Sequence, residues 1–243
     1  MPSGAFLLNP DLDVEYLRAT YHRTRRVRIA GLLAGTGPQR LLTDLMTRTD
    51  WRQVLNSTDK SFELDRATRD AMSVAQRDAL DVAVHQGAVD GFQYRYETVR
   101  VPDGLRARDD SPDLPTLFAS WLSSPAPMAL LKTITGADDT RFVDAQATAY
   151  APGDFLTAHD DAVAGKDRRA AYVFGLNPLW RAEWGGLLLF HGAKGAIEGL
   201  VPGVNTLDLL AVPQPHSVSY VTPSAPARRY SITGWLRAQD QPA

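Results

Sequence analysis

From residue 141 onward the chain is written as short β-rich segments separated by glycine and proline. They are 142–150, 169–176, 186–190, 206–212, 217–221 and 229–236. β-Branched and aromatic residues in runs this short, bounded by turn residues, favour antiparallel strands over helices. The spacing suits a double-sheet β-sandwich or jelly roll, in which the strands of one sheet fold over those of the other.

The first 140 residues have a different texture, mixed and helix-rich. Segment 27–33 alternates and reads as a strand. Residues 38–49 carry Leu41, Leu42, Leu45 and Met46 at helical spacing behind Pro38. Segments 51–55 and 61–64 read as strands around a polar turn. Residues 65–89 read as one long amphipathic helix with Ala71, Met72, Ala75, Ala79, Leu80, Val82 and Ala83 on its apolar side. Phe92, Tyr94 and Tyr96 alternate with polar residues, as in a strand or a helix end. Residues 102–115 read as a loop, followed by helices at 117–122 and 127–134, the second stopped by Gly136. The class is therefore α+β with a mainly β core. A soft boundary near 140 separates a supporting region, 1–140, from a core, 141–240, within one packed unit.

The chain has 26 basic and 28 acidic residues, a net charge of −2, which gives no electrostatic footprint for nucleic acid or an anionic membrane. It has no cysteine, so disulfides and thiolate metal sites are excluded and any metal must be held by nitrogen and oxygen. No signal peptide or membrane span is apparent, and a cytoplasmic protein is the default expectation.

The chemistry concentrates in Tyr150-Ala-Pro-Gly-Asp-Phe-Leu-Thr-Ala-His159-Asp-Asp161 and in Pro215-His216, 55 residues past Asp161. Residues two apart on an extended chain point the same way, so His159 and Asp161 can reach one ion while Asp160 faces away. Two histidines and one carboxylate leave coordination positions open, as non-haem iron oxygenases require, whereas zinc would take a fourth ligand. Of the other histidines, His22 and His85 read as surface residues and His191 as a turn residue. Arg229, Ser231, Thr233 and Trp235 alternate on one strand face, with Arg228 on the other. The Arg229 guanidinium can grip a carboxylate bidentately, with Ser231 or Thr233 adding a hydroxyl. Gln146, Thr148 and Tyr150 share a second face.

With these residues and the motifs Arg169-Ala-Ala-Tyr-Val-Phe-Gly-Leu-Asn177, Trp184-Gly-Gly-Leu-Leu-Leu-Phe190, Asn205-Thr-Leu and Arg229-Tyr-Ser-Ile-Thr-Gly-Trp235, the last hundred residues resemble the prolyl 4-hydroxylase branch of the Fe(II)/2-oxoglutarate-dependent dioxygenases. Asp50-Trp51 and Gly91-Phe92-Gln93-Tyr94 are more loosely similar to bacterial relatives of the ribosomal-protein prolyl hydroxylase group. The resemblance implies a double-stranded β-helix (a cupin-like jelly roll) with helices packed on one sheet. It implies Fe(II) on His159, Asp161 and His216, with 2-oxoglutarate and O2, and it allows ascorbate. Arg229 would take the distal carboxylate of 2-oxoglutarate and Tyr150 would hydrogen-bond the cosubstrate, with Trp235 as a wall. One departure stands out. Gly175 occupies the place of a second cosubstrate-binding tyrosine, which leaves Ser231, Thr233, Tyr172 or Gln146 to compensate.

The activity so implied is hydroxylation of a C–H bond, with succinate and CO2 as coproducts. A prolyl residue in a protein or peptide is the first substrate expected, and a free amino acid or small natural product the second. From another class, a β-sandwich that only binds metal and ligand would have no use for a keto-acid clamp. A groove framed by 55–62, 92–112 and 160–168 would favour a polypeptide, and a closed lid a small molecule. Oligomeric state is not legible in the chain.

Overall fold

A computed structural model describes residues 6–57, 60–239 and 241–242. The polar turn expected before segment 61–64 falls at residues 58–59, outside the described residues. The chain opens with β1 (Leu7–Leu8), α1 (Val14–Thr24), β2 (Arg26–Ala30), β3 (Leu33–Ala34) and α2 (Gly37–Thr47). A hairpin of β4 (Arg52–Ser57) and β5 (Lys60–Asp65) leads through α3 (Arg66–Asp70) and α4 (Val74–Asp90) to β6 (Tyr94–Arg100). Helices α5 (Leu105–Asp109), α6 (Leu114–Leu122) and α7 (Pro125–Thr135) complete the supporting part. The core then runs β7 (Phe142–Val143), β8 (Gln146–Tyr150), β9 (Phe155–His159), β10 (Arg168–Leu176), β11 (Leu188–His191), β12 (Ile197–Leu200), β13 (Val204–Ala211), β14 (His216–Val218) and β15 (Arg229–Arg237).

From β8 onward the core strands alternate between two runs, except that β11 and β12 form a hairpin within one of them. One run is β8-β15-β10-β13, extended by β2 at one edge and by β6 with the β4–β5 hairpin at the other. The opposite run is β9-β14-β11-β12, joined to the first through the pairing of β9 with β6. All the core pairings are antiparallel. This wrapping is a double-stranded β-helix with helices on one side, the jelly roll that the strand spacing suited.

Strand periodicity divides the side chains between two cores. Ala170, Tyr172 and Phe174 of β10 point outward into a large core shared with Leu17, Leu41, Leu45, Leu122, Leu131 and Ile134 of the helices. The ring of Phe118 stacks on Phe174 at 4.7 Å, and full burial of such a side chain contributes about 1.5–3 kcal/mol. Ala171 and Val173 point the other way, into the barrel interior with Leu188, Phe190 and Leu210.

Local details depart from the sequence reading. The long helix expected at 65–89 is two helices. Ser73 and Gln76 form a capping box that starts α4 afresh after α3 ends at Asp70. Among the described residues of α4 only Val84 is buried, with Leu80 and Ala88 half-buried against Leu55 and Phe155. Ala71, Ala75, Ala79, Val82 and Ala83 are exposed, so the inward-facing stripe is narrower than the residue types suggested. The strand at 27–33 ends at Ala30 because Gly31 turns the chain with φ +68°. Residues 102–115 contain α5, and segment 142–150 is split into β7 and β8. Strands β9 and β12 carry no clear β pattern and were absent from the expected set. Among the described residues no helix is long and apolar enough to cross a membrane.

Candidate functional site

The turn between β8 and β9 is fixed by its own sequence. Asp154 accepts from the Ala151 amide at 2.8 Å and from Arg95 Nε at 3.1 Å, and Gly153 (φ +96°) lets Arg95 pass where a Cβ would sit 2.7 Å from its Nη2. That turn sends β9 back along β14, where His159 and His216 are direct cross-strand partners with ring centroids 4.1 Å apart. Each imidazole is oriented from behind. His159 Nδ1 lies 3.0 Å from the Thr157 carbonyl and His216 Nδ1 lies 2.7 Å from that of Gln214. Nδ1 is thereby the donor and Nε2 keeps its lone pair for a metal. Burial, and then the neighbouring His159, hold His216 below the usual histidine range, which favours the neutral, ligating form.

Asp161 completes the cluster, though not by strand alternation. Strand β9 ends at His159, and Asp161 adopts a left-handed backbone conformation, φ +64°, that swings its carboxylate back. Its two oxygens lie 3.5 Å from His159 Nε2 and 3.5 Å from His216 Nε2. The three ligating atoms fall within 4.8 Å of one another, separations that one ion can bridge. Asp160 is exposed and spends its Oδ1 on the Ala162 amide. The donor set, two imidazoles and one carboxylate, fits Fe(II) with room for further ligands.

The cluster opens on a cavity of about 520 Å³ inside the barrel. Register sets the opposite wall: Arg229 pairs with Tyr150, Ser231 with Thr148 and Thr233 with Gln146 across β15 and β8. Arg229 is 3% exposed, and no described residue offers it a hydrogen bond or a carboxylate. Its guanidinium stands 5.1 Å from the Tyr150 ring centre, and the carboxylate that acts on it from a distance, Asp208, is already held bidentately by Arg28 at 2.6 and 2.8 Å. Burial lowers the affinity of Arg229 for its proton, yet a guanidinium stays charged, so the cavity holds a cation awaiting an anion. Arg228, by contrast, faces the other side and pairs with buried Glu97 at 3.2 Å.

The other expected site residues divide. Tyr150, Gln146, Thr233 and Trp235 all line the cavity. Ser231 lies beneath the lining, its hydroxyl 2.8 Å from that of Thr148. Tyr172 donates its phenol to the Asp144 carbonyl at 2.9 Å and so is spent. At Gly175 a Cβ would lie 2.5 Å from the Gly203 carbonyl oxygen and 2.8 Å from Thr206 Oγ1, so the chain itself fills the space a larger side chain would need. His22 is exposed, His85 is half-exposed against Phe155, and His191 bonds Ser217 Oγ at 2.8 Å.

Two groups of lining residues fall within the expected groove frame but were not singled out as site residues. Phe92, Tyr94 and Tyr96 form a ladder of rings, 5.5 and 5.7 Å apart, that ends stacked on Tyr150 at 5.0 Å. Burial pushes the Tyr96 phenol up to about 12, so it remains protonated. The period-2 spacing of 92, 94 and 96 was the available signal. Arg168 is the other: its guanidinium lies 3.5 Å above the Trp235 ring and donates to the Asp161 carbonyl at 3.0 Å. Nothing in its local sequence marks it.

Residues 145–237 match the model of the 2OG-Fe(II) oxygenase superfamily. Among solved structures the fold is similar to an oxidoreductase of the 2OG-Fe(II) oxygenase family from Burkholderia pseudomallei, with a TM-score of 0.62 and 14% identity over 98% of this chain and 96% of that one. It is also similar to a prolyl hydroxylase from Trichoplax adhaerens in complex with a hypoxia inducible factor peptide fragment (TM-score 0.57, 14% identity, 93% and 89% covered). A third is the non-heme alpha ketoglutarate dependent epimerase SnoN from nogalamycin biosynthesis (TM-score 0.51, 13% identity, 91% and 80% covered). No curated protein matches the sequence. Fe(II), 2-oxoglutarate and O2 follow from the superfamily, and the His-Asp-His cluster is where a metal fits. The match covers the barrel strands that carry this cluster, and it supports reading residues 145–237 as a 2OG-Fe(II) oxygenase domain.

Proposed function

We propose that this dioxygenase hydroxylates a prolyl residue in a protein or peptide, releasing succinate and CO2. His159, Asp161 and His216 would hold Fe(II), which, with 2-oxoglutarate and O2, supplies an oxidant able to attack an unactivated C–H bond. The observation that carries the cosubstrate assignment is Arg229, a buried cation without a partner that shares one cavity with the triad. It would take the distal carboxylate of 2-oxoglutarate in a charge-assisted pair. The Tyr150 phenol, kept protonated by burial, stands beside Arg229 as a second donor, and Thr233 and Gln146 line the same wall. Leu188, Leu210 and Val218 add apolar surface to the cavity lining.

Two observations favour a polypeptide substrate. The cavity rim carries Phe92 and Val163, 49% and 50% exposed, as an apolar landing for a chain segment. The ring ladder of Phe92, Tyr94 and Tyr96 offers flat aromatic faces of the kind that receive proline-rich segments. Among the described residues, none of 55–62 or 97–112 lines the cavity. The prolyl hydroxylase from Trichoplax adhaerens, which binds a peptide, has a similar fold. The test is to incubate cell extract with enzyme, Fe(II) and 2-oxoglutarate and to search peptides by mass spectrometry. Proline residues heavier by one oxygen atom are the expected result. Oxygen appearing only in small metabolites would refute the peptidyl assignment and favour a free amino acid or natural product.

A further inference from the structure

Asp161 presents a structural problem. A carboxylate that must reach an ion alongside two histidines hangs from a left-handed, non-glycine backbone just past the end of a strand. Such a conformation costs on the order of 1 kcal/mol and persists only where the surroundings enforce it. The loop from Asp161 to Asp167 contains two further left-handed residues, Gly165 (φ +75°) and Asp167 (φ +44°), so the loop backbone alone does not fix the carboxylate.

What closes the loop is Arg168. Its Nη1 donates to the Asp161 carbonyl at 3.0 Å and lies 3.9 Å from Asp161 Oδ1. The guanidinium is clamped flat, 3.5 Å over the Trp235 ring. Trp235 is fixed in turn, because its amide donates to Asp144 Oδ1 at 2.7 Å, and Asp144 Oδ2 is held by Arg237 at 2.5 Å. Arg237 also donates to the Lys166 carbonyl at 2.6 Å, pinning the loop's far end. The aromatic face supplies a cation–π contact, and the fork of the guanidinium supplies direction.

We propose that Arg168, seated on Trp235, is a positioning residue for the metal site: it locks Asp161 in the left-handed conformation that aims its carboxylate at His159 and His216. This rests on the reading of His159, Asp161 and His216 as a metal site.

Cobalt(II) titrated anaerobically into the full-length, metal-stripped protein, followed by its d–d absorption, tests the proposal. Partners that orient metal ligands typically change affinity by about 10–100-fold. Arg168→Ala should therefore bind Co(II) at least about tenfold more weakly than wild type, with an altered d–d spectrum. Arg168→Lys, which can still donate to the carbonyl but cannot stack as a plane, should recover part of the affinity. Trp235→Phe should stay near wild type and Trp235→Ala should move toward Arg168→Ala. Arg169→Ala, which breaks only the exposed pair with Asp139, is the control and should change nothing. A purely structural role for Arg168 would lower the unfolding midpoint and leave the cobalt spectrum and affinity unchanged, and that outcome would overturn the proposal. Should Arg168→Ala fail to fold, wild-type affinity in both Arg168→Lys and Trp235→Ala would overturn it equally. A wild-type protein that takes up no cobalt would instead refute the metal-site reading itself.

Discussion

Strand β15 buries an arginine at each end, and the two ends are treated in opposite ways. Arg229 and Arg237 are both 3% exposed. Arg237 meets Asp144 at 2.5 Å and the Lys166 carbonyl at 2.6 Å. Burial pushes the Asp144 carboxyl up, and Arg237 with the Trp235 amide pulls against it. Arg229 meets only the face of Tyr150 and the space of the cavity. A buried charge costs several kcal/mol unless it is paired, so the fold compensates one arginine internally and leaves the other for a ligand. The comparison teaches how to tell a structural arginine from a binding one: burial does not distinguish them, and partners do.

Three sets of substitutions probe that contrast, beginning with the largest effect. His159→Ala or Asp161→Ala should reduce succinate formation from 2-oxoglutarate to background; undiminished turnover would remove the metal site that gives the Arg229 end its purpose. Next, Arg237→Ala should destabilise the protein by about 3–5 kcal/mol in urea unfolding, because it strands Asp144 as a buried charge without its cation. Arg229→Leu should leave the ligand-free protein as stable as wild type or more so, since it removes a desolvated charge that no side chain compensates. Equal losses in the two variants would erase the distinction.

Much of this contrast was legible before any fold was known, and the reasons are local. A strand repeats every two residues, so Arg229 separates from Arg228, and Gln146, Thr148 and Tyr150 fall on one face, whatever the rest of the chain does. Asp161 was paired with His159 for the wrong reason. Alternation puts residues two apart on one side, but the strand had already ended, and a left-handed turn gave the same partner. What failed was whatever depended on distant packing. Alanines along α4 read as a buried stripe, but burial is decided by what Leu55 and Phe155 can cover, which is Val84 and its two neighbours. Gly175 read as a missing tyrosine, yet the Gly203 carbonyl occupying that space comes from a loop with no sequence signal linking the two. Arg168 escaped for the same reason, since its role depends on Trp235, 67 residues away.

The most direct test of the account is the affinity for 2-oxoglutarate, measured by anaerobic calorimetry on metal-loaded wild type, Arg229→Ala and Arg228→Ala. A charge-assisted pair is worth about 1.5–3 kcal/mol, or roughly 10–100-fold in affinity. Arg229→Ala should lose affinity by that much, and Arg228→Ala, whose guanidinium is engaged by Glu97, should bind as wild type does. Equal affinities in the two variants would contradict this.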